Sequence, residues 1–189
     1  MATLRRSFPV LVAAALFATG CGYNTIQTKD EAVNGAASQI KTQLQRRSDL
    51  IPNLVETVKG FARQESTVFS AVAEARSRLS GAVAGGNLQQ MSEANQALTA
   101  PLGRLIAIAE AYPELKSNQN FLQLQDQLEG TENRISVARQ DYNKSVEDFN
   151  AYIRRFPYNL TAKMFGLGKP REYFELTSPG AAEAPKVKF

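Results

Sequence analysis

Apolar residues recur at a fixed spacing through the second half of the chain. They follow one another at seven-residue intervals, at Phe121, Leu128, Ile135, Tyr142, Phe149 and Phe156. Because an α-helix brings residues seven apart to nearly the same face, this stripe predicts one long helix over about residues 117–156. Pro157 is expected to end the helix, since proline cannot continue its hydrogen-bond ladder. Asn118 precedes the stripe and is expected to behave as a surface position.

The first half of the chain carries a second apolar stripe, mostly at three- and four-residue spacing. It begins at Val33, reaches Leu79 and is interrupted by Pro52. We therefore expect either two helices, over about residues 26–48 and 52–83, or one helix that is kinked at the proline.

A turn and a third apolar stretch connect these two regions. Gly81, Gly85 and Gly86 supply the turn, and the stretch runs from Leu88 to Tyr112, just before Pro113. No segment shows the alternating pattern of a β-strand. Each stretch has one apolar stripe that must be buried against another, and short connections favour antiparallel neighbours. The pattern thus predicts an all-α fold, an elongated antiparallel four-helix bundle.

The C-terminal residues follow a different pattern. The segment 160–176 is rich in apolar side chains, and three interpretations are open: it folds back on the bundle, contacts a lipid surface, or awaits a partner. The following residues contain Pro, Gly and Ala with little apolar content, which is typical of a flexible segment. We therefore assign residues 21–176 to the bundle and residues 177–189 to a disordered tail.

The N-terminus has the layout of a secretory signal. Two arginines, an apolar run of about ten residues and a small-residue segment precede Cys21, the only cysteine of the chain. The arrangement resembles a bacterial lipoprotein signal, although Ala18 stands where such signals usually carry Leu or another aliphatic residue. The sequence therefore predicts a signal peptide over residues 1–20 and lipidation of Cys21. The alternative is an uncleaved signal anchor, although the run falls short of the ~20 residues of a membrane-spanning helix.

Composition excludes several kinds of chemistry. The 189 residues include no His, so catalytic arrangements with a histidine base and Glu-x-x-His metal sites cannot be built. Paired carboxylates such as Glu129 and Glu132 remain possible in principle, but exposed glutamates on a helix are usually solvated, so we expect no catalytic residue, no cofactor and no metal. The net charge of +4 includes two arginines of the signal, and no basic stripe remains to bind nucleic acid.

Two polar clusters interrupt the apolar stripes. Their members are the candidate interaction or latch residues, namely Arg47, Asp49, Pro52, Asn53, Glu132, Arg139, Tyr142 and Asn143. Arg47 falls in the apolar phase of the first stripe, where a guanidinium is costly unless a carboxylate accepts it. We expect a latch in which Arg47 or Arg139 pairs with Asp49 or Glu132. The alternative is that all four are flanking charges with their heads in water.

Several of these segments are shared with a known family. Residues 49–54 read Asp-Leu-Ile-Pro-Asn-Leu and residues 131–135 read Thr-Glu-Asn-Arg-Ile, and Tyr-Asn at 23–24 and Phe-Pro at 156–157 accompany them. Together they resemble the LemA family over about residues 23–176. The resemblance implies a four-helix bundle that is tethered by its N-terminus to a bacterial membrane, and it implies no established reaction. Many members carry an N-terminal membrane helix in place of the lipoprotein-like signal.

Two functional hypotheses follow. The first is a lipid-anchored, non-catalytic scaffold or interaction protein of the bacterial cell envelope, which faces the periplasm or the exterior and binds other envelope or membrane proteins. The second is a ligand-binding protein or hydrolase that uses a polar groove between the helices. Convergence of the candidate residues on one concave pocket would favour the second hypothesis. A dry latch or scattered residues would favour the first.

Overall fold

The computed structural model describes residues 2–174, with side chains from residue 22 onward. This part of the chain is helical and contains no strand. Its six helices are α1 (Ala2–Lys59), α2 (Ser66–Gly85), α3 (Leu88–Ala111), α4 (Pro113–Lys116), α5 (Gln119–Arg154) and α6 (Tyr158–Met164). The all-α prediction is confirmed. The side chains of residues 1–20 and of Cys21, and the predicted tail 177–189, lie outside the described residues.

Contacts between Cα atoms divide the described residues into two units. Unit 1 contains α1 as far as Ala37 together with Gln140–Tyr173, and unit 2 contains Ser38–Arg139 together with Phe174. Each unit therefore holds part of α1 and part of α5. No helix of the described chain combines the length and the apolar character that crossing a membrane requires.

The predicted stripes form the core of unit 2. Side chains from four helices are fully buried there, among them Ile40, Leu44, Ile51, Leu54, Leu79, Met91, Leu98, Leu105, Phe121 and Ile135. Helices α2 and α3 pack against each other across a two-residue connection. The prediction that the turn begins at Gly81 is wrong, because α2 continues to Gly85. Gly86 takes a positive φ of 74° there, and the Asn87 side chain accepts a hydrogen bond from the Gln90 amide of α3.

Of the two alternatives at Pro52, a division into two helices is wrong, because α1 continues through the proline. Proline has no amide hydrogen, so the carbonyl oxygen of Ser48 loses its partner within the helix. The Arg76 Nε of α2 donates to this oxygen at 3.0 Å and replaces the lost bond. The helix ends instead at Lys59, where Gly60 follows and the amides of Phe61 and Ala62 both turn to the Val58 carbonyl.

Helix α5 confirms the seven-residue stripe as far as Phe149, which is 1% exposed. The extension of the stripe to Phe156 is wrong, because Phe156 is 79% exposed. The physical reason is Pro157, which disfavours helical geometry in the residue before it. Helix α5 accordingly ends at Arg154, and Phe156 lies in the turn that leads to α6.

The expectation that Asn118 is an indifferent surface position is contradicted by the start of α5. The Asn118 Oδ1 accepts a hydrogen bond from the Phe121 amide at 3.1 Å and thereby caps the helix. Asn118→Ala should therefore lower the free energy of unfolding by about 1 kcal/mol in urea melts. Asn118→Asp keeps the acceptor and should stay near the parent. Equal losses for Ala and Asp would contradict the capping role.

The segment after α6 folds back within unit 1. Gly166 has a φ of 75°, and the Leu167 amide donates to the Ala162 carbonyl, so α6 ends in a Schellman motif. Farther along, the Asn150 side chain of α5 both donates to and accepts from the backbone of Arg171. The Arg171 guanidinium in turn donates two hydrogen bonds to Asp30 Oδ1 on α1, at 3.0 and 2.7 Å. The end of the described chain is thus held against α5 and α1.

Candidate functional site

Arg47 occupies the centre of the polar residues in unit 2. It lies between Leu44 and Ile51 on the buried face of α1 and is only 7% exposed. Its Nη1 donates to the Asn95 Oδ1 of α3 at 2.9 Å and forms an ion pair with the Glu132 carboxylate of α5. One guanidinium therefore connects three helices.

The next residue of α1 makes a second polar connection, to α2. Ser48 is fully buried, and its hydroxyl forms a 2.8 Å hydrogen bond with the Ser80 hydroxyl. Its carbonyl oxygen accepts from Arg76, as described above. Two consecutive residues of α1 are therefore joined to α2, α3 and α5.

Arg139 belongs to the same electrostatic cluster. Burial lowers the pKa of both Arg47 and Arg139, and the Glu132 carboxylate opposes the shift in each case. Arginine stays protonated in proteins, so both guanidinium groups are charged near neutral pH. The Arg139 guanidinium carbon lies 5.0 Å from the centre of the Phe174 ring, a cation–π contact. The Glu132 carboxylate therefore forms an ion pair with Arg47 and interacts electrostatically with Arg139.

The other candidate residues lie elsewhere. Asp49 is exposed, accepts a hydrogen bond from Gln45 at 2.8 Å and lines a shallow groove of about 630 Å³ whose lining does not include Arg47 or Glu132. Asn53 is also exposed. In unit 1, the Tyr142 hydroxyl donates to the Glu172 carbonyl oxygen at 3.0 Å. Asp49 and Asn53 therefore do not belong to the cluster around Arg47.

The two remaining candidates lie on α1 and α5. Pro52 is half-buried in α1. Because it has no amide hydrogen, the Ser48 carbonyl oxygen accepts its hydrogen bond from Arg76 instead. Asn143 is half-buried on α5, beside Tyr142. Whether any of the eight candidate residues takes part in an interaction with another molecule stays a prediction.

Sequence reasoning missed Asn95. This residue is 3% exposed and accepts the Arg47 hydrogen bond. A signal was present, because Asn95 follows Met91 by four positions and precedes Leu98 by three, so it stands in the apolar phase of α3. An asparagine in one apolar stripe and an arginine in another form a hydrogen bond between α3 and α1.

The chemistry of this arrangement is that of a structural connection. A guanidinium does not give up its proton near neutral pH, and the carboxylate beside it already accepts a charge-assisted hydrogen bond. Within the described part of the chain, no group of three or more His, Cys, Asp or Glu residues is placed to hold a metal ion. The cluster fixes the relative position of α1, α3 and α5.

Comparison with known proteins identifies similar chains. The model of the LemA family matches residues 36–189. Magnetosome protein MamQ 2 of Paramagnetospirillum magneticum is 28% identical over 178 residues, which cover 81% of this chain and 64% of the relative. Magnetosome protein MamQ of Magnetospirillum gryphiswaldense is 29% identical over 175 residues, with coverages of 80% and 64%. Protein LemA of Metamycoplasma hominis is 24% identical over 146 residues, with coverages of 76% and 65%. The chain thus spans a little under two thirds of the length of these curated relatives.

Proposed function

This chain belongs to the LemA family, and from that membership we propose that it is a membrane-tethered, non-catalytic helical protein that acts as a scaffold or interaction protein in the bacterial cell envelope. The observation that carries the proposal is the connection through Arg47, Asn95 and Glu132. Two of the charged groups that a polar groove would offer to a ligand, Arg47 and Glu132, pair with each other between α1 and α5. The protein then acts through its helix surfaces, which would meet other envelope or membrane proteins.

The architecture that we propose for this role is a four-helix bundle built from α1, α2, α3 and α5. Its support is the set of links that converge on residues 47 and 48 of α1, to Arg76, Asn95 and Glu132. The packing of α2 on α3 is consistent with it. A bundle that is connected at its middle by polar bonds in one register can present its outer faces in a fixed arrangement.

The membrane tether that we propose is a lipid on Cys21. Its support is the signal layout of residues 1–20, after which the mature chain would begin at the cysteine. Several acyl chains on one residue hold a protein firmly, whereas a single chain gives only marginal binding. The protein would then face the periplasm or the exterior, and Gly22 in place of an Asp after the cysteine favours the outer membrane.

Cys21→Ser should release the protein from membranes or leave an uncleaved precursor, because serine provides no thiol for acylation. The measurement is membrane fractionation together with mass spectrometry of the N-terminus. Ala18→Leu is the matched control, since it supplies the aliphatic residue that lipoprotein signals usually carry and should be processed like the parent. A Cys21→Ser chain that is still cleaved and membrane-bound would refute the lipid tether.

A further inference from the structure

An apolar surface is left uncovered at the end of unit 1. It consists of Phe156, Leu160, Met164 and Phe165, which are between 53% and 79% exposed, and we call it the α6 face. On α6 itself the exposed and buried residues separate by side, because Leu160 and Met164 are one turn apart, whereas Thr161 and Ala162 are buried. Bulky apolar side chains grouped in this way usually mark a binding surface.

The α6 face is held beside the beginning of the predicted mature chain. The Tyr158 ring packs so closely on Gly22 that a Cβ atom there would lie 2.6 Å from the Tyr158 Cδ1. Tyr158 also stacks on Tyr152 of α5, with 4.4 Å between ring centres. The Phe165 ring lies 4.5 Å from the Tyr23 ring. The face therefore adjoins the two residues that follow Cys21.

The segment that carries this face is positively charged. From Phe149 to Arg171 the chain contains no Asp or Glu. Five basic residues of this stretch are exposed. Arg171 pairs with Asp30, and the other four are Arg154, Arg155, Lys163 and Lys169. Lys163 directly precedes Met164 on the exposed side of α6. Apolar side chains flanked by lysine and arginine are the composition of helices that lie in the interface of an anionic membrane.

We propose that the α6 face binds the surface of an anionic lipid bilayer. Phe156, Leu160, Met164 and Phe165 enter the boundary between headgroups and acyl chains, while the four basic residues meet lipid phosphates. The inference rests on the proposed function only in that a tether at Cys21 would deliver the face to the membrane. It adds a second, non-covalent contact, which fixes how unit 1 is oriented on the bilayer.

Single tryptophans test this proposal directly, because the chain contains no Trp. Leu160→Trp and Phe165→Trp in the full-length chain, reconstituted with phosphatidylglycerol vesicles, should shift their emission to shorter wavelength and be quenched by brominated acyl chains. Val137→Trp is the matched control, since Val137 is 55% exposed on α5 in unit 2 and lies outside the face. Its emission should remain that of a tryptophan in water.

The contribution of the basic residues is tested by changing the lipid composition of the vesicles, by adding salt and by reversing one charge of the protein. Quenching should be weaker in phosphatidylcholine vesicles, and it should fall in anionic vesicles when 1 M salt shortens the screening length to about 3 Å. Lys163→Glu in the Leu160→Trp background should raise the lipid concentration needed for half-maximal quenching at least roughly fivefold, the effect of one basic residue near an anionic surface.

The tether and the α6 face fail in distinguishable ways. Processed, membrane-bound protein whose Leu160→Trp and Phe165→Trp emission stays water-like would overturn the inference and leave the tether intact. Equal quenching in neutral and anionic vesicles would overturn it as well, since the face would then not select anionic lipid. If the tryptophan emission shifts to shorter wavelength in native envelopes but not in pure lipid vesicles, the face binds a protein partner. That result would overturn the inference as well.

Discussion

Phe149→Ala is expected to lower the free energy of unfolding by about 3–5 kcal/mol, the usual cost of removing a core aromatic side chain. Phe149 is 1% exposed in unit 1, on the buried side of α5. Truncation removes its apolar surface and leaves a cavity that the neighbouring helices cannot close without moving. A loss of this size is comparable to much of the stability of a typical domain.

Phe156→Ala is the control, because Phe156 continues the same seven-residue spacing but is 79% exposed. In urea melts without lipid it should change the unfolding free energy by no more than about 0.5 kcal/mol. Comparing the two substitutions shows whether the loss of stability depends on burial or only on the seven-residue spacing. Equal effects of the two substitutions would mean that α5 does not end before Pro157, or that Phe149 is not part of the core.

The helices could be predicted from the sequence because the spacing of apolar residues along a helix is a local pattern. The stripe of α5 from Phe121 to Phe149 is visible in the spacing alone, and so is the turn after Gly85. To predict that Phe156 is exposed, one must know at which residue the helix ends. The seven-residue spacing continues in the sequence beyond the last helical residue. Element type was therefore more predictable than element boundary.

The local sequence could not decide between two helices and one helix that continues through Pro52. The proline removes one hydrogen bond, and local reasoning places a break where a bond is lost. The replacement comes from Arg76, whose distance from Ser48 along the chain is 28 residues. Compensation between distant residues depends on how the helices pack, so it becomes visible only in the structure.

The candidate cluster was half predictable for a related reason. Arg47 was identifiable because it is a charge in an apolar phase, and Glu132 was one of two acids considered as its partner. The pairing of Glu132 with Arg139 considered from sequence connects two residues of one helix. The structure places Arg47 across the core from α5 instead, and it adds Asn95 as a third member. Sequence identified which residues were unusual, and packing determined which of them meet.

Glu132→Ala is expected to lower the free energy of unfolding by about 1–3 kcal/mol, because it leaves the buried Arg47 guanidinium without its carboxylate. The estimate lies below the ~3–5 kcal/mol of a fully buried pair because the Glu132 side chain is 48% exposed, so water screens the interaction. Glu129→Ala, one turn earlier on α5, removes an exposed glutamate that bonds only to Gln125 among the described contacts, and it should cost no more than about 0.5 kcal/mol.

A double-mutant cycle measures the connection itself. Arg47→Met removes the guanidinium and strands the Asn95 oxygen. In the Arg47→Met background, Glu132→Ala no longer leaves the Arg47 guanidinium unpaired, and only the electrostatic interaction of Glu132 with Arg139 is lost. The double variant should therefore be more stable than the two single losses imply, by about 0.5–3 kcal/mol. Asn95→Leu should recover part of the Arg47→Met loss, because a buried acceptor without a donor is then replaced by an apolar group.

The same variants separate a structural connection from a ligand site. If Arg47 and Glu132 hold helices together, their losses are coupled in urea melts, and the double variant keeps the function lost on deletion of the gene. If they bind a ligand, each single substitution should leave stability almost unchanged and still abolish that function. Additive melts with lost function would therefore refute the scaffold proposal at the cluster on which it rests. Coupling with retained function would mean that the protein acts through its helix surfaces, because its central charges serve the fold alone.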